Sequence, residues 1–194
     1  MANKIVKELI NPQSIVIVGG SRNNILDSQI EYLKKKMGVF EIKINVKKIF
    51  EEKEQSFKQY LKKAKEEVKN EKHIVIRPDP VFKKENVIER LKIDSNLSFR
   101  ELEVIIRNFL GELTAMIIKE CSINNVIITG GDTSIGVCRA LGINNLKIHN
   151  EILPGIPLST SRTNNHNVRL VTKAGGFGEA DTLYKLINKL IDYD

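Results

Sequence analysis

The sequence predicts an α/β domain of the Rossmann-like, three-layer kind, with a mainly parallel sheet and glycine-rich turns at the strand C-termini. Three observations predict it. Short runs of β-branched residues alternate with longer stretches of helical period, the pattern of parallel strands joined by crossover helices. Three strand runs lead into paired glycines. The 194 residues are 41% hydrophobic and 28% charged, which suits one core of ordinary size. The whole chain, 1–194, is read as a single domain.

Each element has its own signal. "SIVIV" (14–18) is an apolar run fit for a strand buried on both faces. "GGSRNN" follows, and a helical pattern then runs from Leu26 to Met37. "VFEIKIN" (39–45) alternates as a half-exposed strand does. Over 50–69, Phe50, Phe57, Tyr60, Leu61, Ala64 and Val68 fall largely three or four apart and predict one amphipathic helix. "HIVIRP" (73–78) is a strand stopped by the prolines of "RPDP". Residues 82–92 read as a short helix. Ser98 with Glu101 is a capping-box signal opening a long helix over 98–121, whose apolar positions nearly encircle it and mark it for a central place. "VIIT" (126–129), a short helix over about 133–141, strands at 146–152 and 167–173, and a helix from about Glu179 to Ile191 complete the order. "PGIPLSTSRTNNHN" (154–167) reads as a long polar loop and a candidate mobile flap.

Composition excludes several function classes. The 31 Lys+Arg against 24 Asp+Glu give a charge of +7, which could attract an anionic partner. The lysines alternate with glutamates, as in "KKAKEEVKNEK", and read as a solvated face. With no Trp and only four Tyr, and none of the usual signatures, no nucleic-acid partner is expected. Cys121 and Cys138 make neither a disulfide framework nor a metal site and read as buried thiols of a reducing compartment. There is no signal-peptide pattern or long apolar run, so a soluble, cytoplasmic protein without membrane contact is expected. His73, His149 and His166 lack partners at metal-ligand spacing, and no metal ligands are assigned. His149 reads as structural, His166 could reach a substrate from the polar loop, and Asp79 reads as a turn residue.

The chemistry lies in the glycine turns. "SIVIVGGSRNN", "VIITGGDTSIG" and "VRLVTKAGGFGEAD" each run strand, two glycines, helix. Glycine lets the backbone turn sharply and approach a ligand, and the next helix presents unpaired N–H groups and a positive dipole end to an anion. Thr133 and Ser134 can cap their helix or donate to a phosphate oxygen. Lys173 adds a charge. Asp132 either caps the helix, the slightly favoured reading, or holds Mg²⁺ through water. None of the turns fits G-x-G-x-x-G or G-x-x-x-x-G-K-[ST]. The pattern alone supports a phosphorylated ligand, with a nucleotide as the first candidate.

"GGDTS", "NEILPGIPLS" and "TKAGGFGEADTL", in this order and spacing, resemble the C-terminal nucleotide-binding domain of the four-carbon acid sugar kinases. The resemblance implies a kinase of threonate, erythronate or a related acid that uses ATP and Mg²⁺. It implies that Gly130, Gly131, Asp132, Thr133 and Ser134 hold the ATP phosphates, and that Gly175 and Gly176 form a second loop at the nucleotide. In the first turn the family's nucleotide-contacting serine falls on Asn23, with Ser21 two residues before. Glu151 and Pro154-Gly155 match the middle motif, where Glu151 reads equally as structural or metal-linked. Full-length members carry an N-terminal sugar-binding domain with the catalytic base. Its absence here implies a separate sugar-binding chain or a homo-oligomer, a fragment, or a stand-alone nucleotide-binding or regulatory module without turnover.

Overall fold

The computed structural model describes residues 14–20, 23–83, 88, 89, 91, 96–163 and 167–193. The strands are β1 (Val16–Gly19), β2 (Val39–Ile44), β3 (His73–Pro78), β4 (Asn125–Thr129), β5 (Lys147–Leu153), β6 (Ile156–Arg162) and β7 (Asn167–Lys173). They form one sheet in the order β2-β3-β1-β4-β7-β6-β5. The first five in that order are parallel. β6 pairs antiparallel with β7, and β5 antiparallel with β6.

The helices are α1 (Asn24–Lys36), α2 (Val46–Glu51), α3 (Lys53–Lys69), α4 (Phe99–Cys121), α5 (Gly131–Ala140) and α6 (Thr182–Ile191). They cover both faces because the central strands are apolar on both. Val16, Val18, Ile74, Ile76, Val126 and Ile128 pack with α2, α3, α4 and α5. Ile15, Ile17, Val75, Ile127 and Val171 pack on the other face with α1 and α6. All three apolar residues of β1 are fully buried, and each such side chain contributes roughly 1.5–3 kcal/mol. This burial outweighs any local preference and fixes β1 inside the sheet, between β3 and β4.

Two helices of the second layer meet unusually closely. A Cβ on Gly111 of α4 would lie 2.3 Å from the Gly136 carbonyl oxygen of α5, and one on Gly136 would lie 2.6 Å from the Arg107 carbonyl oxygen. Only hydrogen at both positions permits this separation.

The structure departs from the sequence reading in four places. Residues 154–167 are no free loop: β6 occupies 156–162 and forms a hairpin with β5, turning at Gly155 with φ +72°. The single helix expected over 50–69 begins earlier and is broken at Glu52, where φ −144° and ψ 47° leave the helical region. The helix expected over 82–92 falls largely outside the described residues; Pro80–Lys83 is a 3-10 turn, and Ile88, Glu89 and Leu91 are helical. The two cysteines are half-buried rather than buried, and that burial raises both thiol pKa values.

Candidate functional site

The sheet brings the three glycine turns to one edge. Gly19 pairs with Thr129, and Thr129 with Lys173, so β1, β4 and β7 end side by side. The helix after β4 leaves to one face, whereas those after β1 and β7 leave to the other. Such a reversal opens a crevice at the carboxyl edge of a parallel sheet, where ligands bind.

The first turn leans on the second. The Gly20 N–H donates to Thr133 Oγ1 at 3.0 Å, and a Cβ on Gly20 would lie 2.5 Å from that oxygen. The second turn is tied to the third: the Gly130 N–H donates to the Lys173 carbonyl at 2.9 Å. Gly130 is the N-cap of α5 at φ +107°, a conformation that glycine alone adopts without strain. Ser134 Oγ donates to the Gly130 carbonyl at 3.0 Å. No side chain caps α5. By contrast α1 is capped by Asn23, α2 by Asn45 and α4 by the Ser98–Glu101 box. α3 and α6 also lack a side-chain cap; what sets α5 apart is its start at the end of β4 beside two other glycine turns, where a Cβ on Gly131 would meet nothing within 4 Å. This corner has the donors and the room that an anion needs.

The third turn is held from below. Lys173 is 3% exposed, and its Nζ donates to the carbonyls of Ala174 at 2.8 Å and Phe177 at 2.9 Å. Burial pulls its pKa down to about 8. Fully buried Gln29 of α1 donates from Nε2 to the carbonyls of Phe177 at 3.1 Å and Glu179 at 3.0 Å. A Cβ on Gly176 would sit 2.6 Å from Asn23 Nδ2, so the first and third turns touch. A Cβ on Gly155 would sit 3.2 Å from the Phe177 ring, which links the β5–β6 hairpin to the same loop.

The sequence-predicted residues thus divide. Asn23, Gly130, Gly131, Thr133, Ser134, Lys173 and Gly176 belong to one connected corner, with Gly175 and Asp132 in the same turns. Two roles are corrected. Asp132 is not the cap of α5, because it lies inside the first helical turn and is exposed. Lys173 does not extend its ammonium outward, because two loop carbonyls hold it inward. Ser21 and His166 lie outside the described residues. Glu151 is exposed on edge strand β5, opposite Pro157. His149 Nε2 lies 2.7 Å from Thr160 Oγ1 across the hairpin, and Asp79 Oδ1 accepts from the Val81 N–H at 2.9 Å within its own turn. Gln29 was not anticipated. Its one sequence signal is a polar residue on the apolar stripe of Leu26, Ile30 and Leu33.

Fold and turns together define a doubly wound α/β domain whose glycine turns meet at the ends of β1, β4 and β7. The chain belongs to the family of nucleotide-binding C-terminal domains, whose model matches residues 16–183, the domain of the four-carbon acid sugar kinases. It is 32% identical over 113 residues to D-threonate kinase of Salmonella typhimurium, covering 58% of this chain and 27% of that protein. It is 38% identical over 77 residues to D-threonate kinase of Bordetella bronchiseptica, covering 39% and 19%. A 3-oxo-tetronate kinase of Pseudomonas fluorescens is 29% identical over 98 residues, covering 50% and 22%. The matched stretch is thus about a quarter or less of these relatives' length. Among solved structures, a DUF1537 protein of Haemophilus influenzae superposes with a TM-score of 0.70 at 21% identity, covering 90% of this chain and 40% of that one. A DUF1537 domain from Bordetella bronchiseptica, a domain-swapped dimer with bound citrate, gives 0.69 at 19% identity, covering 92% and 41%. No helix among the described residues is long and apolar enough to cross a membrane.

Proposed function

We propose that this domain binds ATP for the phosphorylation of a hydroxyl on a four-carbon sugar acid such as threonate or erythronate. The observation that carries the reading is the uncapped N-terminus of α5, set between two further glycine turns at the ends of adjacent strands. The α/β/γ-phosphates would lie against the main-chain N–H groups of Gly130–Ser134 and of Gly175–Gly176. Asn23 would reach the nucleotide from the first turn, and Ser21, outside the described residues, is proposed to share that role. Phosphoryl transfer asks a protein mainly for positioning and charge neutralisation, and this corner is suited to the first.

Among the described residues no three His, Cys, Asp or Glu side chains gather as a metal cluster. Mg²⁺ does not require one, because it keeps several waters and takes one or two carboxylates beside the substrate phosphates. Exposed Asp132, in the first turn of α5, fits that need. The metal would supply charge for the transferring phosphoryl group, and Asp132 would orient it. The sugar acid and the catalytic base would be supplied from outside this domain, by a sugar-binding part of the protein or by a partner chain. Identity with the two D-threonate kinases supports the substrate class.

The test is calorimetry with Mg·ATP. The parent is expected to bind with micromolar to millimolar affinity, roughly 4 to 8 kcal/mol. Gly131→Val places its side chain in open space, so the fold should persist while the affinity falls at least about tenfold, ~1.4 kcal/mol. A variant that binds as the parent does would mean that the phosphates lie elsewhere. The chain alone is expected to leave a panel of tetronates unphosphorylated.

A further inference from the structure

Resting on the nucleotide reading above, we propose that Arg107 is the side-chain cation for the outermost phosphate of the bound triphosphate. Phosphoryl transfer needs positive charge at the oxygens of the transferring group. Lys173, the obvious source in the sequence, is directed away into its own loop. A side-chain cation to act beside the metal would come from another element.

A small cleft of about 80 Å³ opens beside the second glycine turn, bounded by Gly20, Arg107, Thr133 and the two carboxylates of Glu103 and Asp132, with Phe82 on its apolar wall. It is far smaller than the roughly 300–1,000 Å³ pockets that enclose whole small molecules. Its size suits one tetrahedral oxyanion. Arg107 is the sole cation among the described residues that line it. The Nε of Arg107 is buried and has no hydrogen-bond partner, a costly state for a charged group unless a ligand accepts from it.

The backbone aims this side chain. A Cβ on Gly136 would lie 2.7 Å from Arg107 Cγ, so the arginine stem runs against bare α5 backbone. α4 and α5 both start at the carboxyl edge of the sheet, and helical side chains lean toward their own N-terminus. Arg107 therefore reaches from the level of Gly136 up toward Asp132 and Thr133. Its planar fork can give two parallel bonds to a phosphate. Glu103, one turn before it, is engaged in an interaction of its own. Asp132 is the carboxylate left to face a divalent cation on the same phosphate.

Calorimetry of the full chain with Mg·ATP and with Mg·ADP tests this assignment. The parent should prefer ATP. Arg107→Gln should lose about tenfold in ATP affinity, the worth of a charged hydrogen bond, and stay within about twofold for ADP. Arg107→Lys should fall between, because it keeps the charge and loses the fork. If Arg107→Gln binds both nucleotides as the parent does, or weakens both equally, the assignment to Arg107 is overturned and the nucleotide reading stands. If the parent binds neither nucleotide, the nucleotide reading fails and the proposal with it. Should Arg107→Gln lose the parent's cooperative thermal melt, Arg107→Lys decides: an undiminished preference for ATP overturns the proposal.

Discussion

One carbonyl oxygen, that of Phe177, accepts from Lys173 of β7 and from Gln29 of α1. Two elements from opposite ends of the chain thus set the height of the third glycine loop. The glycines of this corner were legible in the sequence, because paired glycines at the end of a strand mark a sharp turn that other residues resist. The job of Lys173 was not. A sequence gives the type of a side chain, whereas the direction of its Nζ depends on which carbonyls the fold brings near.

The buried ammonium makes a pH signature. Its folded pKa of about 8 lies below the ordinary 10.5, so native protein releases this proton first as pH rises. Between about 8 and 10.5 the unfolded chain holds more protons, and stability contributed by this group rises with pH. Below about 8 both states are protonated and the contribution is level. The unfolding free energy of the parent minus that of Lys173→Met should therefore climb from pH 8 to 10, by at most about 1.4 kcal/mol per pH unit. Urea titrations at stepped pH measure it. A difference that stayed flat would show that Lys173 is not desolvated.

At the scale of elements, the first turns of α4 and α5 divide stability from binding. Ser98 Oγ accepts from the Glu101 N–H, and the Glu101 carboxylate accepts from the Ser98 N–H at 2.8 Å. The box satisfies α4's own donors, whereas α5 leaves its first donors to the crevice. Ser98→Ala should cost about 1 kcal/mol and lower the melting temperature by roughly 2–4 °C, with nucleotide affinity unchanged. An equal loss of affinity would mean that the start of α4 is part of the site.

The elements that escaped the sequence reading did so for physical reasons. Pro157 and the Ser-Thr-Ser run at 159–161 look like a loop. They become strand because β7 offers a free edge and Gly155 turns the chain back onto β5; Ser159 is then 2% exposed. The break at Glu52 escaped because apolar spacing continues through it, and periodicity does not register a change of backbone angles. The capping box of α4 and the strand runs at 14–18 and 73–78 were read directly. Local chemistry specifies them without help from distant partners.

For the molecule as a whole, strand order makes the site. Gly20, Gly130 and Gly176 are far apart in the chain and adjacent only because β1, β4 and β7 are neighbours. No local pattern could say that β4 inserts beside β1, and the cleft at Arg107 depends on that insertion too. The opposite edge of the sheet has its own long-range tie. His73, at the start of β3, accepts at Nδ1 from the Ile15 N–H at 3.2 Å, just before β1. Burial lowers its pKa below 6.5, and an accepting Nδ1 requires the neutral ring. As pH falls through 6.5 the unfolded chain takes up this proton before the native one can, so native stability declines. Above about 7.5 neither state is protonated and the group is silent. His73→Gln keeps an acceptor within reach and removes the titration. The parent's unfolding free energy, less that of the variant, should be level above neutrality and fall between pH 6.5 and 5, by at most about 1.4 kcal/mol per pH unit. Parallel curves for the two proteins across that range would show that the tie between β3 and the entry to β1 does not sense protons.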